Sequence, residues 1–423
     1  MATWCLCIAA FGWSAMDVMA QESQGDDGSV EALKTLYEAR DYFALYDQLV
    51  SRTGEPTPQI RFYQAASLTA FNQPEDSNRL LDQIEHDPSL NEAQRQQIHL
   101  LRYRNFLRMH EFAAARKAGV LAHREGRGKP GVVFLPSVRN QLKLLHVLED
   151  TLPQEVTIHA TTKLSPVNGR ILGRVGDVVQ SFRLDINAPF CVISQKVALT
   201  FGLKIHEVGM AIHTSTSRVV KADVAMAKQF NLGDIEFRHV VFLVFPDDLL
   251  EVDQARTFEG LLGFPILEAL GEVRFLNNGD WEIPAHPPSR EPRSLAFDDL
   301  DLITRIRFGD EESLARINLG ARVTTGFRSF YDRFQTRLEA EGNRFEKKIG
   351  LAETDRLVPA LRLPTFAFTL DGHDVNLKYV DVFQESILPT SANKPMYLDI
   401  GQDALKQFDR VILNFRDMAI VVE

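Results

Sequence analysis

The sequence predicts a multidomain protein, an N-terminal all-α helical repeat followed by two mainly-β lobes built on one plan. Three observations carry that expectation. Apolar residues recur at helical spacing from Val30 to about Arg124; after Pro153 the texture changes to short β-branched and aromatic runs; and from about residue 155 the same series of features occurs twice. A chain of 423 residues is also too long for one ordinary core.

In the first segment Ala32, Leu33, Leu36, Tyr37, Leu45, Tyr46 and Leu49 define one helical pair, broken near Arg40-Asp41 and again at Gly54-Glu55-Pro56. A second pair spans Gln59 to Phe71 and Asp76 to Ile84, and a third spans Asn91 to Phe106 and Glu111 to Ala122. Helix pairs with brief connections resemble tetratricopeptide repeats, which implies a domain over residues 25–150 with a protein partner on its concave face. A packing or spacer module is the competing reading. Gly126 to Gly131 interrupts the pattern before a short helix over Ser137 to Leu148.

Composition narrows the function. Apolar content of 45% and charged content of 25% are ordinary for a soluble globular protein. A formal net charge of -10, without a long Lys/Arg run, argues against nucleic acid as the main partner. Beyond the N-terminus no apolar run is long enough for a membrane span. The stretch Trp4 to Met19, ending Val18-Met19-Ala20, reads as an exported leader over residues 1–20, although its first charge is Asp17 and a positive n-region is missing. Export, most simply to a bacterial periplasm, is the expected location. Removal of the leader would take Cys5 and Cys7 with it, leaving Cys191 without an intrachain disulfide partner.

The doubled region divides as a first lobe over 155–284, a Pro/Ser-rich linker over 285–300 and a second lobe over 301–423. Each lobe begins with a strand entering a polar turn, Phe182-Arg183-Leu184-Asp185-Ile186-Asn187-Ala188 in the first and Leu314 to Ala321 in the second. A hydroxyl-bearing stretch and a helix candidate follow, at Ser194 to Phe201 and at Thr324 to Phe334. Then come a Gly-containing hairpin, around Val208 to Val219 and around Lys347 to Thr354, and a further strand pair. The last event is an apolar pair or near-pair before Gly and a helix: Leu261-Leu262-Gly263 and Asp399-Ile400-Gly401.

This order resembles the retropepsin-like and pepsin-like aspartic peptidases, and more narrowly bacterial exported proteins with helical repeats before two fused retropepsin-like lobes. The resemblance covers residues 155 to 423. It places Asp185 at the nucleophile-activating position of the first lobe and Asn318 at the matching position of the second. The family signature, Asp then Thr or Ser then Gly, is intact in neither: Ile186 and Leu319 lack the hydroxyl, and Asn187 replaces the glycine that Gly320 keeps. By the same resemblance His213, Thr214 and Ser215 fall in the first flap and Gly350 in the second, so Asn187, His213, Thr214, Ser215, Gly320 and Gly350 are the candidate substrate contacts.

Peptide hydrolysis of this type uses two carboxylates that share one proton across the lobe interface. Asp185 can fill one role; an amide at 318 neither titrates nor takes a proton from water. The first expectation is therefore a peptidase homologue with a degenerate dyad that binds an extended peptide or protein segment in the interlobe cleft without cutting it. An active endopeptidase using Asp185 with Asn318, or an intermolecular pair of Asp185 side chains, is the alternative; a scaffold acting through its helical repeats is another. Asp185 also has a plain reading as a hydrogen-bonding turn residue. No cofactor or metal is expected, because His206, His213 and His239 match no compact ligand spacing. Cys191, followed by Val192-Ile193, reads as a buried small residue, and the 28 Phe as core and cleft lining.

Overall fold

A computed structural model describes residues 27–125, 136–186, 188–213, 219–247, 260–299, 301–349, 356–387 and 397–423. The apolar leader-like stretch therefore lies outside the described residues. Contacts divide the chain into two compact units: residues 155–295 with 300–423, and the helical region together with residues 296–299.

In the helical unit, helices span Asp27–Glu38, Tyr42–Val50, Pro58–Ala70, Pro74–Ile84, Glu92–Arg108, Phe112–Glu125 and Pro136–Leu148. Local chemistry starts several of them. The Asp41 side chain accepts from Ala44 N, and Thr57 accepts from Ile60 N ahead of Pro58. Asn91 and Gln94 form a reciprocal capping box. Left-handed residues Arg40, Asn72 and His110 follow three of the helices, so each of these pairs turns within three residues. Leu33, Leu45, Tyr63, Leu81 and Tyr103 are buried, as the helical periodicity requires. A polar knot joins the second and third pairs: buried Asn105 accepts from Thr69 Oγ1 at 2.8 Å and donates to Ser77 Oγ and Asn78 Oδ1 at 2.9 Å each. The segment 296–299 sits in this unit too. Arg40 pairs with Asp298 at 3.4 Å, Arg104 with Asp299 at 3.1 Å, and Arg108 stacks over the Phe297 ring at 4.0 Å.

The stretch read as a linker is thus not structureless throughout. Leu295–Asp298 is a strand with all four residues buried, because its Leu-Ala-Phe core is as apolar as any neighbouring strand.

The first lobe contains β1 (Glu155–Thr157), β2 (Thr162–Leu164), β3 (Arg170–Val175), β4 (Val178–Leu184), β5 (Cys191–Ser194) and β6 (Ile205–His213). It continues through β7 (Val219–Leu232), β8 (Ile235–Phe245), β9 (Gly260–Leu262), β10 (Glu272–Leu276) and β11 (Trp281–Ile283). Its main sheet runs β1-β8-β5-β9-β4-β3-β7-β6, with β7 also pairing β8 so that the sheet closes on itself. Phe182, Phe230 and Phe242 fill the interior edge to face, at centroid separations of 5.5 and 5.6 Å. Gly173 and Gly260 make that possible: a Cβ on either would stand within 2.5 Å of the Phe230 or Phe182 ring.

After β12 (Leu295–Asp298) the second lobe has β13 (Asp301–Phe308), β14 (Glu311–Ile317), β15 (Thr325–Gly326), β16 (Asn343–Ile349) and β17 (Arg356–Leu370). It ends with β18 (His373–Phe383), β19 (Leu398–Ile400), β20 (Arg410–Asn414) and β21 (Ala419–Val422). Its sheet runs β13-β14-β19-β15-β18-β17-β16, with β13 also meeting β17. The helix after β15 covers Arg328–Glu341 rather than beginning at Thr324, because Thr325-Gly326 pairs with both β18 and β19. Phe330 and Phe334 on that helix pack with Phe308 and Phe366 as the aromatic core of this lobe.

The lobes do not end separately. A five-stranded sheet, β2-β11-β10-β20-β21, takes strands from both, and β10 pairs β20 over five residues from Glu272↔Asn414 to Leu276↔Arg410.

Candidate functional site

The two polar turns occupy the same place in their sheets. In the first lobe β4 runs parallel to β9 with Leu184 opposite Leu262; in the second β14 runs parallel to β19 with Ile317 opposite Ile400. The strand after each turn then lies antiparallel on the other side of β9 or β19, pairing Val192 with Leu261 and Thr325 with Asp399. Hydrogen bonds repeat as well. Asp185 N donates to Leu262 O and Asn318 N to Ile400 O, both at 3.0 Å. Ala188 N donates to Asp185 O and Ala321 N to Asn318 O, at 3.2 and 3.1 Å, while Phe264 N and Gln402 N donate to Ala188 O and Ala321 O at 2.8 Å. Asp185 and Asn318 are therefore equivalent by backbone position, and both are buried.

Glycine is required behind each turn for a steric reason. A Cβ on Gly263 would meet Phe190 O at 2.5 Å, and one on Gly401 would meet the Val323 carbonyl carbon at 2.6 Å. The glycine N–H there finds a side chain from the segment after the turn: Gly263 N donates to Cys191 Sγ at 3.4 Å, and Gly401 N to Thr324 Oγ1 at 3.1 Å. Cys191 thus stands where the second lobe has Thr324. Burial pushes its thiol up to about 12, a structural rather than a nucleophilic sulfur. Thr324 in turn donates its hydroxyl to Asp403 Oδ1 at 2.7 Å, and its N–H bonds the same carboxylate.

The side-chain chemistry of the two centres differs. Asn318 Oδ1 accepts from Gly320 N and Ala321 N, each at 3.1 Å, and Nδ2 donates to Asp399 Oδ2 at 2.8 Å. Two backbone donors and one carboxylate acceptor fix which end of the amide is which. Asp399 also accepts from Arg316 Nε at 2.6 Å, and Arg316 Nη1 lies 3.3 Å from Asp301 Oδ1. The strand register carries this contrast across the sheet. The rung beside the first turn reads Arg183, Leu261, Val192, Leu243, Val224; the matching rung of the second reads Arg316, Asp399, Thr325, Asp381, Arg362. Leu261, Val192, Leu243 and Val224 are buried and apolar, whereas Asp381 is clamped by Lys347 at 2.7 Å and by Arg362 at 2.8 Å. Burial disfavours the Asp381 carboxylate, but these two cations outweigh it and hold its carboxyl below the usual aspartate range.

Of the other sequence candidates, Gly320 is placed, donating to Asn318. Ile186 is buried and Leu319 half-buried, and Leu319 O accepts from Gln402 Nε2 at 2.7 Å. Asn187, Thr214, Ser215 and Gly350 lie outside the described residues; His213 ends β6, with its side chain outside them. Among the described residues no group of three or more His, Cys, Asp or Glu is placed to hold a metal ion. Asp399 and Arg316 were missed by sequence reading. The available signal was a charged residue at 399, where the first lobe has Leu261 in its apolar pair before glycine.

A family model described as aspartyl protease matches residues 168–266, a span that takes in the Asp185 turn, β6, β7 and the Leu261-Leu262-Gly263 element. Residues 168–266 are therefore similar to an aspartyl protease lobe. The second lobe, beyond that match, repeats it by the register and hydrogen bonds given above. A crystal structure of a retropepsin-like aspartic protease from Rickettsia conorii is similar over 30% of this chain and 99% of that one, at 18% identity and a TM-score of 0.24. No curated protein sequence matches significantly. No helix among the described residues is long and apolar enough to cross a membrane.

Proposed function

We propose that the protein is a two-lobed aspartic-peptidase homologue whose second centre has lost its carboxylate, and that it binds extended peptide segments between its lobes without cleaving them. The hydrogen bonding of Asn318 carries this reading. Water activation in such a site needs one ionised and one protonated carboxyl sharing a proton. Residue 318 supplies an amide whose oxygen is turned onto its own backbone and whose nitrogen is committed to Asp399. Asp185 then acts as a hydrogen-bond acceptor for peptide N–H groups rather than as half of a dyad, with Asn187, His213, Thr214, Ser215, Gly320 and Gly350 as the contacts that surround the segment. Export to the periplasm, on the strength of the leader-like residues 1–20, and a protein partner for the helical unit complete the proposal.

The test compares wild type with Asp185→Ala on a library of unstructured peptides from acidic to neutral pH, scoring cleavage by mass spectrometry and binding by retention. Binding without cleavage is expected, with weaker retention by Asp185→Ala. Robust wild-type turnover that disappears in Asp185→Ala would overturn the proposal in favour of an active peptidase.

A further inference from the structure

We infer that Asp399 is the positioning residue of the second centre: it holds Asn318 in one orientation and makes position 318 a site for an amide rather than a carboxylate. This rests on the reading of residue 318 as the degenerate half of a former dyad.

The two lobes bring acids and an arginine to this place in different arrangements. In the first, the acid is Asp185 on the turn, and the residue opposite Arg183 on β9 is Leu261. In the second, an acid stands on the neighbouring strand: Asp399 on β19 lies opposite Arg316, and the turn carries Asn318. Asp399 is buried, so its charge requires compensation, which Arg316 Nε supplies at 2.6 Å and Asn318 Nδ2 supplements at 2.8 Å. An N–H donor at 318 suits an Asp399 carboxyl already paired with a guanidinium. A carboxylate there would place two acceptors at hydrogen-bonding distance with no proton between them, and one would have to stay protonated.

The surrounding charges are already matched. Arg316 on β14 also meets Asp301 on β13 at 3.3 Å. Asp381 on β18, across Thr325, is held by Lys347 on β16 and Arg362 on β17. Asp403, on the short helix after β19, is engaged with Thr324. Arg316 serves Asp301 and Asp399 together, and a further carboxylate at 318 would share the same guanidinium. Restoring the missing aspartate by itself therefore conflicts with the network that replaced it.

The test measures thermal unfolding of wild type, Asn318→Asp and the exchange Asn318→Asp/Asp399→Asn from about pH 5 to about pH 8. In Asn318→Asp the shared proton gives the folded state a raised carboxyl pKa. Its stability is then retained at the acidic end and lost as pH rises through that raised value, with a melting temperature lower than wild type by roughly 5 °C or more at the alkaline end. The exchange puts one amide and one carboxylate back in contact with donor and acceptor reversed, so most of the loss should be recovered and its pH dependence removed. Should Asn318→Asp fail to fold at neutral pH, a folded exchange variant supports the inference by itself. Equal stability of Asn318→Asp and wild type at about pH 8, or an exchange variant no more stable than Asn318→Asp, overturns it. Wild-type peptidase turnover, by contrast, would overturn the binding-only reading and leave the role of Asp399 standing.

Discussion

Asn414 of the second lobe donates its side-chain N–H to the Glu272 carboxylate of the first at 2.9 Å, at the start of the strand pairing that joins the lobes. Glu272 is fully buried and also accepts from Arg274 Nε at 2.8 Å and from Arg290 Nε at 3.1 Å. Burial works against its ionised form, but hydrogen bonds from Arg290, Asn414 and Arg274 outweigh that and hold the carboxyl below the usual glutamate range. Arg290 is tied further by its N–H to Asp417 at 2.9 Å. One acid thus gathers the first lobe, the connecting chain and the last strands.

Removing that acid should be costly. Glu272→Ala leaves two guanidinium groups and one amide beside an empty buried position, and is expected to lower stability by about 3 kcal/mol or more in urea unfolding. The sign with pH follows from the depressed pKa. The contribution is present in full above the ordinary glutamate range and is lost as pH falls through the lower folded value. A Glu272→Gln variant should therefore differ most from wild type at neutral pH and converge on it in acid. A constant difference at every pH would show that the charge is not what matters.

Gly263→Ala and Gly401→Ala test the equivalence of the two turns. Each new methyl would collide with backbone, Phe190 O in one case and the Val323 carbonyl carbon in the other, which cannot swing aside as a side chain would. Losses of about 1–3 kcal/mol, similar in the two variants, are expected from denaturant titrations. A neutral Gly401→Ala beside a damaging Gly263→Ala would mean that the second turn is not held as the first is.

The Cys191 thiol should be silent. It is buried, its pKa is pushed up to about 12, and its sulfur accepts from Gly263 N. Iodoacetamide at neutral pH is expected to leave the peptide containing Cys191 unmodified in the native protein and to label it fully in urea, as peptide mapping would show. Rapid native labelling would contradict its burial.

Asn105 should set the stability of the helical unit. It is fully buried and bonded to Thr69, Ser77 and Asn78, so Asn105→Ala leaves several buried polar groups without it. A loss of about 2–3 kcal/mol is expected, measured by the helical circular dichroism signal during unfolding. An effect within about 0.5 kcal/mol, as at ordinary surface positions, would make the knot incidental.

Much of the organisation was legible in the chain because it depends on local chemistry. The helical spacings and the break in texture after Pro153 each specify an element within a few residues of itself. The correspondence of Asp185 with Asn318 could be read in the same way, since each is followed at a similar distance by an apolar residue and glycine. What sequence reading did not reach is partnership across strands distant along the chain. Nothing near Asp399 in sequence points to Asn318 or Arg316, and nothing near Glu272 points to Asn414.

The sequence by itself determined that residue 185 is a titratable acid and residue 318 an amide that carries no titratable proton. The tertiary structure decided which groups surround that amide. Parallel pairing of β14 with β19 sets Asp399 against Arg316 and within 2.8 Å of Asn318, and a buried carboxylate at that distance requires a donor where the first lobe keeps an acceptor.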